Sequence, residues 1–81
     1  MTFADGLNPA AFGAHLRHLR EAAGWAQEDV ARRLRDQGAD VRTQSVTRWE
    51  GGRAAPSRSD LAKLAAMFGV SVEWLTEREA S

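Results

Sequence analysis

The sequence predicts an all-α fold, a compact bundle of five short helices. Three observations predict it. Apolar residues recur every three or four positions, and no stretch alternates Val, Ile or Thr with polar residues. Glycine or proline breaks these runs at short intervals. The chain has 81 residues, which bounds it to one small domain. A chain of that size buries only about 60–65% of its unfolded surface, so its core must be well packed. A hydrophobic content of 43% with two prolines argues for a folded globule.

The first helix begins at Asn8-Pro9. Asn is a good N-cap and Pro suits the first helical position. Leu7 and Phe12 are spaced as a hydrophobic staple across that cap. Phe12, Leu16, Leu19 and Ala23 form the inward stripe, and Gly24 fits the left-handed position that ends a helix. The second helix runs from about Gln27 to about Gln37, with Val30, Ala31 and Leu34 inward and Trp25 at staple spacing from Val30. Ala26 stands at its cap, where losing a Ser or Thr costs about 1 kcal/mol.

Gly38-Ala39-Asp40 is a break. The third helix runs from about Arg42 to about Glu50, with Val46 and Trp49 inward. Residues 51–56 form a loop. Ser57 with Asp60 then reads as a capping box opening the fourth helix, which carries Leu61, Leu64, Ala65 and Phe68 and stops at Gly69. Ser71 caps a short fifth helix with Val72, Trp74 and Leu75. Residues 1–7 read as a loose arm, 8–78 as the domain and 79–81 as a tail.

Composition excludes several classes. Without cysteine there is no disulfide, thiolate metal site or cysteine nucleophile. No apolar run approaches the roughly 20 residues of a membrane span. Met1-Thr2-Phe3-Ala4-Asp5 lacks the basic start of a secretory signal. The expected location is therefore the cytoplasm. With 11 basic and 11 acidic residues the chain is neutral, so any affinity for nucleic acid must come from local charge.

That local charge exists beside the third helix. If Val46 and Trp49 face the core, the opposite side carries Thr43, Gln44, Thr47 and Arg48. Gln can bond adenine and Arg guanine in a bidentate way, and threonine methyls can touch thymine. From Val41 to Arg58 there are four arginines (Arg42, Arg48, Arg53, Arg58) against the one acid Glu50. From Ser71 onward Glu73, Glu77 and Glu79 outnumber Arg78. A basic band beside a hydrogen-bonding face is the electrostatic footprint of DNA binding. A polar helix face with several arginines is also what ordinary solvation produces.

The order of residues adds a resemblance. The stretch Leu16-Arg17-His18-Leu19-Arg20-Glu21-Ala22-Ala23-Gly24-Trp25-Ala26-Gln27-Glu28-Asp29-Val30-Ala31 resembles the first two helices of the lambda-repressor/Cro-like (XRE-type) helix-turn-helix family. Val46-Thr47-Arg48-Trp49-Glu50-Gly51-Gly52-Arg53-Ala54-Ala55-Pro56-Ser57 is similar to that family's recognition helix and following loop. Leu61-Ala62-Lys63-Leu64-Ala65 and Gly69-Val70-Ser71-Val72-Glu73-Trp74-Leu75 resemble its fourth and fifth helices.

The resemblance implies a lambda-repressor-like domain whose second and third helices form the helix-turn-helix. It implies a transcriptional regulator that reads the major groove of double-stranded DNA with its third helix, commonly as a homodimer on a palindromic operator. Thr43, Gln44 and Arg48 match base-reading positions, with Thr47 beside them. Gln27, Arg53, Ser57 and Arg58 match phosphate-binding positions, with Arg42 and Ser45 as weaker candidates. Arg20 and Glu50 match a structural ion pair. Three features depart from the family pattern. The stretch from Val30 to Val46 is about five residues longer than usual, around Arg35-Asp36-Gln37-Gly38-Ala39-Asp40, which either lengthens the second helix or enlarges the turn. Gly51 replaces a common asparagine, and Arg42 stands where a small capping residue is usual.

Other constellations carry little. His15 and His18 lie three apart, but no third ligand is near in sequence, so no metal or other cofactor is expected. Asp36 and Asp40 read as turn residues rather than an acid/base pair. Ser57, Ser59, His15 and Asp60 form no nucleophile arrangement, and Gly51-Gly52 is too short to cradle a nucleotide phosphate. No enzyme is expected. Trp25, Trp49 and Trp74 all fall at inward or staple positions, where core packing outweighs base stacking. Val70, Val72, Trp74 and Leu75 either cover the core or leave an apolar edge for a twin subunit. The rival function is an antitoxin or bridging-type module that binds another protein through this C-terminal segment. Abundant alanine and arginine point to a GC-rich bacterial genome, hence to the nucleoid.

Overall fold

The computed structural model describes residues 9–76. Five helices follow in order: α1 (Pro9–Ala22), α2 (Gln27–Asp36), α3 (Thr43–Glu50), α4 (Arg58–Phe68) and α5 (Val72–Thr76). No strand occurs among the described residues. The readings on Leu7, Asn8, the arm and the tail lie outside them.

One core joins all five helices. Phe12 and Leu16 of α1, Val30, Ala31 and Leu34 of α2, Val46 and Trp49 of α3, Leu64 and Ala65 of α4, and Leu75 of α5 are buried together. Leu19, Trp25, Leu61, Phe68, Val70 and Val72 pack partly buried around them. Trp25 lies between Phe68, 5.4 Å away ring to ring, and the Arg33 guanidinium, 4.0 Å above its ring.

The helix ends follow the expected chemistry. The Ser57 hydroxyl accepts from the Asp60 N–H at 3.1 Å, which is the serine half of the expected capping box without the reciprocal Asp60 bond, and the Ser71 hydroxyl accepts from the Trp74 N–H at 2.9 Å. Gly69 closes α4 in the left-handed conformation, with φ 69°. At α2 the Ala26 methyl cannot cap, though its carbonyl accepts from the Asp29 N–H at 3.0 Å, and half of a capping box survives: the Asp29 carboxylate accepts from the Ala26 N–H at 2.7 Å.

The long connection between α2 and α3 resolves as an enlarged turn. The second helix ends at Asp36, and Gly38 (φ 89°) reverses the chain. The Ala39 N–H reaches back to the Leu34 carbonyl at 3.0 Å, closing a Schellman-type end. Val41 then plugs the core, 2% exposed. Arg35 donates to the Val41 carbonyl at 2.9 Å. Gln37, Gly38 and Asp40 of this turn are exposed, and so are Gln44, Thr47 and Arg48 on the outer face of α3.

Two expectations need correction. Ala23 is exposed, because α1 ends at Ala22 and Ala23 already belongs to the turn. Trp74 is 40% exposed rather than inward. Its ring stacks on His15, with centroids 5.1 Å apart, and His15 Nδ1 lies 3.3 Å from the Leu75 carbonyl oxygen. A five-residue helix has one inward row, and Leu75 occupies it. The third helix keeps its expected span within one residue: it starts at Thr43, with Arg42 as an extended N-cap whose side chain makes no capping bond.

Candidate nucleic-acid interface

The pose of α3 is fixed from three sides. Val46 and Trp49 hold it to the core. At its end, Arg20 and Glu50 form a two-point ion pair: Arg20 Nε donates to Glu50 Oε2 at 2.6 Å and Nη2 to Oε1 at 3.0 Å. Both side chains are nearly buried, 13% and 5% exposed. The hydrogen bond to Glu50 leads the causes that raise the Arg20 pKa above its ordinary value, against desolvation that lowers it. Arg20 Nη1 also donates to the Trp25 carbonyl at 2.8 Å, so one guanidinium ties α1, the α1–α2 turn and α3 together. On the third side, Gly13 lets the α1 backbone lie directly against the Trp49 and Glu50 carbonyls.

This placement turns Gln44, Thr47 and Arg48 outward, all exposed, with Thr43 and Ser45 half-buried beside them. Gln44 and Arg48 make no intramolecular side-chain hydrogen bond among the described residues, so their donors and acceptors are open to a ligand. The threonines differ. Thr43 Oγ1 donates to the Glu28 carboxylate, and Thr47 Oγ1 lies 2.6 Å from Gln27 Oε1 and 3.2 Å from the Thr43 carbonyl. Gln27 Nε2 in turn donates to Glu50 Oε1 at 3.1 Å. These bonds set the start of α2 against the outer side of α3.

The candidate phosphate contacts lie at the α3 N-cap, in the loop after α3 and at the start of α4. Arg42, Arg53, Ser57 and Arg58 are exposed. The Ser57 oxygen serves the α4 cap, which leaves its hydroxyl proton to donate. The Arg53 N–H closes the loop onto the Arg48 carbonyl at 2.9 Å. Gln27 keeps one amide N–H beyond the one given to Glu50. The first N–H groups of α2, with their positive dipole end, open beside Gln27.

Two residues in this region were not singled out from the sequence, Glu28 and Arg35. Arg35 Nη2 bonds Glu28 Oε2 at 2.7 Å, at the opposite carboxylate oxygen from Thr43. These bonds hold the exposed Glu28 carboxyl below the usual carboxylate range, Thr43 first and Arg35 second. The signal in the sequence was an acid in the first turn of α2 seven residues before an arginine in its last, a spacing that two turns of helix bring to one side. Elsewhere, no group of three or more His, Asp or Glu among the described residues could hold a metal ion. No helix among them is long and apolar enough to cross a membrane.

A short helix held by its apolar side against a preceding helix, with a polar face turned out at the corner, defines a helix-turn-helix domain. The chain belongs to that family: the helix-turn-helix domain profile matches residues 11–78. An uncharacterized HTH-type transcriptional regulator of Haemophilus influenzae is 54% identical over 35 residues, 43% of this chain and 15% of that protein. Multiprotein-bridging factor 1 of Schizosaccharomyces pombe is 34% identical over 53 residues, 65% of this chain and 32% of that protein. This chain therefore spans less than a third of either relative's length. Among solved structures, the DNA-binding domain of BldD superposes with a TM-score of 0.67 at 30% identity, covering 85% of this chain and 93% of that one.

Proposed function

We propose that this chain is the sequence-specific DNA-binding part of a transcriptional regulator and that α3 enters the major groove of double-stranded DNA. The observation that carries the reading is the open pair Gln44 and Arg48 on the outward flank of α3, two side chains long enough for bidentate base contacts. Thr43 and Thr47 complete the reading face. Arg42, Arg53 and Arg58, with Gln27, Ser45 and Ser57, grip phosphates and supply affinity and register. The likeness to a DNA-binding domain and to a transcriptional regulator supports this assignment.

Major-groove readers of this shape gain affinity by pairing two half-sites about one helical turn apart. The reading therefore includes a homodimer on a palindromic operator in the bacterial cytoplasm, at the nucleoid. It includes no catalytic step. One experiment tests it: selection of bound duplexes from a random pool at two salt concentrations. Enrichment of a symmetric motif, with affinity falling steeply with salt, is the expected result. Absence of any salt-sensitive duplex binding would refute it.

The likeness to a bridging factor and the exposed Trp74 favour a second reading, a module that docks another protein through its C-terminal segment. Capture of a stable protein partner that survives Gln44→Ala and Arg48→Ala but not Trp74→Ala, without duplex binding, would select it.

A further inference from the structure

The two threonines of the reading face differ from Gln44 and Arg48 in one chemical respect. Their hydroxyl protons are already committed inside the protein. An ionised carboxylate only accepts hydrogen bonds, so Glu28 must take its proton from Thr43. The same logic runs through Glu50. That carboxylate is paired with Arg20 and accepts from Gln27, which fixes the Gln27 amide with nitrogen toward Glu50 and oxygen toward Thr47. Gln27 Oε1 can only accept, so Thr47 donates to it.

We propose that Glu28, and Glu50 acting through Gln27, set the polarity of the reading face, so that Thr43 and Thr47 meet base pairs as methyl groups and hydrogen-bond acceptors and never as donors. Glu28 is then a positioning residue, braced by Arg35, whose other nitrogen holds the Val41 carbonyl in the enlarged turn. The inference rests on the reading of α3 as a major-groove helix.

The consequence is a restricted code. In the major groove a threonine without a free proton can accept from adenine N6 or cytosine N4, or touch the thymine methyl. It cannot bond guanine, which offers only N7 and O6 acceptors there. Guanine at a threonine-facing position is therefore selected against. A carboxylate is ionised at neutral pH in any case, and the bonds to Thr43 and Arg35 hold Glu28 below the usual carboxylate range.

The test compares the wild-type chain with Glu28→Ala, Thr43→Val and the double variant, by selection from random duplexes. NMR titration of the Thr43 and Glu28 signals is run on the free proteins. In the free wild type, the Thr43 signals should follow Glu28 ionisation. Glu28→Ala should admit guanine at one base-pair position by about fivefold, the worth of one neutral hydrogen bond. Thr43→Val should abolish that effect in the double variant, since valine keeps the methyl but has no hydroxyl. Loss of one negative charge alone would strengthen binding to all sequences equally. A uniform gain with an unchanged motif would overturn the inference and leave the DNA-binding reading intact. Failure of the wild type to bind any duplex would overturn both, whatever the titration showed.

Discussion

Gly13 and Trp49 meet backbone to backbone: a Cβ on Gly13 would lie 2.5 Å from the Trp49 carbonyl oxygen and 2.6 Å from that of Glu50. Glycine in a helix interior ordinarily costs up to about 1 kcal/mol relative to alanine. Here it is required, because carbonyl oxygens at the end of one helix occupy the space a methyl group would need. Those carbonyls belong to the last turn of α3, so Gly13 sets how closely α3 approaches α1. Gly13→Ala should therefore destabilise the fold despite alanine's better helix propensity, by about 1–3 kcal/mol as an overpacked site. Chemical denaturation reads this directly. A stabilised Gly13→Ala variant would mean that the two helices do not touch there. The exposed neighbour Ala14 provides the control, since Ala14→Ser should change stability by less than about 0.5 kcal/mol.

The Arg20–Glu50 pair closes the same corner with charge. With Glu50 5% exposed, removal of its partner leaves a carboxylate in a site water reaches poorly. Arg20→Met should cost about 3 kcal/mol, the low end for breaking a buried pair because Arg20 retains some exposure. Arg20→Met with Glu50→Leu should recover most of that loss, since two apolar side chains strand no charge. Urea denaturation of the two single variants and the double variant measures the coupling. Additive losses would show that the pair acts as two unrelated surface charges.

The start of α2 should make stability sensitive to acid. Glu28 is held below the usual carboxylate range first by Thr43, and Asp29 first by the Ala26 N–H. For both groups the folded form binds its proton more weakly than the unfolded chain does. Their contribution is therefore complete above the unfolded carboxylate values and is lost as pH falls through the folded ones. The urea midpoint should hold between pH 7 and pH 5 with respect to these two groups and fall below about pH 4. Glu28→Gln with Asp29→Asn should flatten that acid limb. An unchanged limb in the double variant would remove both groups from the account.

Much of this architecture is written locally. Ser57 with Asp60, Ser71 before its short helix and Gly69 after α4 mark helix ends, because caps act within one turn. The inward stripes of Val30, Ala31 and Leu34, and of Val46 and Trp49, follow from helical period alone. Non-local features escaped that reading. Val41 is buried from a turn, where no period applies. Gly13 has no side chain to signal a contact with α3. Thr43 and Thr47 face outward by period, yet their hydroxyls serve Glu28 and Gln27 from 15 and 20 residues away. The face was legible; its hydrogen-bond polarity depends on how α2 and α3 cross.

Separating base contacts from phosphate contacts gives the sharpest test of the interface. Arg48 lies on the outward flank of α3, whereas Arg53 lies in the loop beyond the helix end, after Gly51 and Gly52. A base contact carries sequence information, and losing a bidentate one costs about 1–3 kcal/mol against the preferred base pair. A phosphate contact carries none and appears instead in the number of counterions released. Arg48→Ala should thus weaken binding to the selected motif far more than to random duplex, and relax the motif at one position. Arg53→Ala should weaken both equally and reduce the slope of log affinity against log salt by about 1. Fluorescence anisotropy on the two duplexes across a salt series distinguishes these outcomes. Exchanged phenotypes, with Arg53 governing the motif and Arg48 only the salt slope, would place the groove-facing surface on the loop and move α3 out of the reading position.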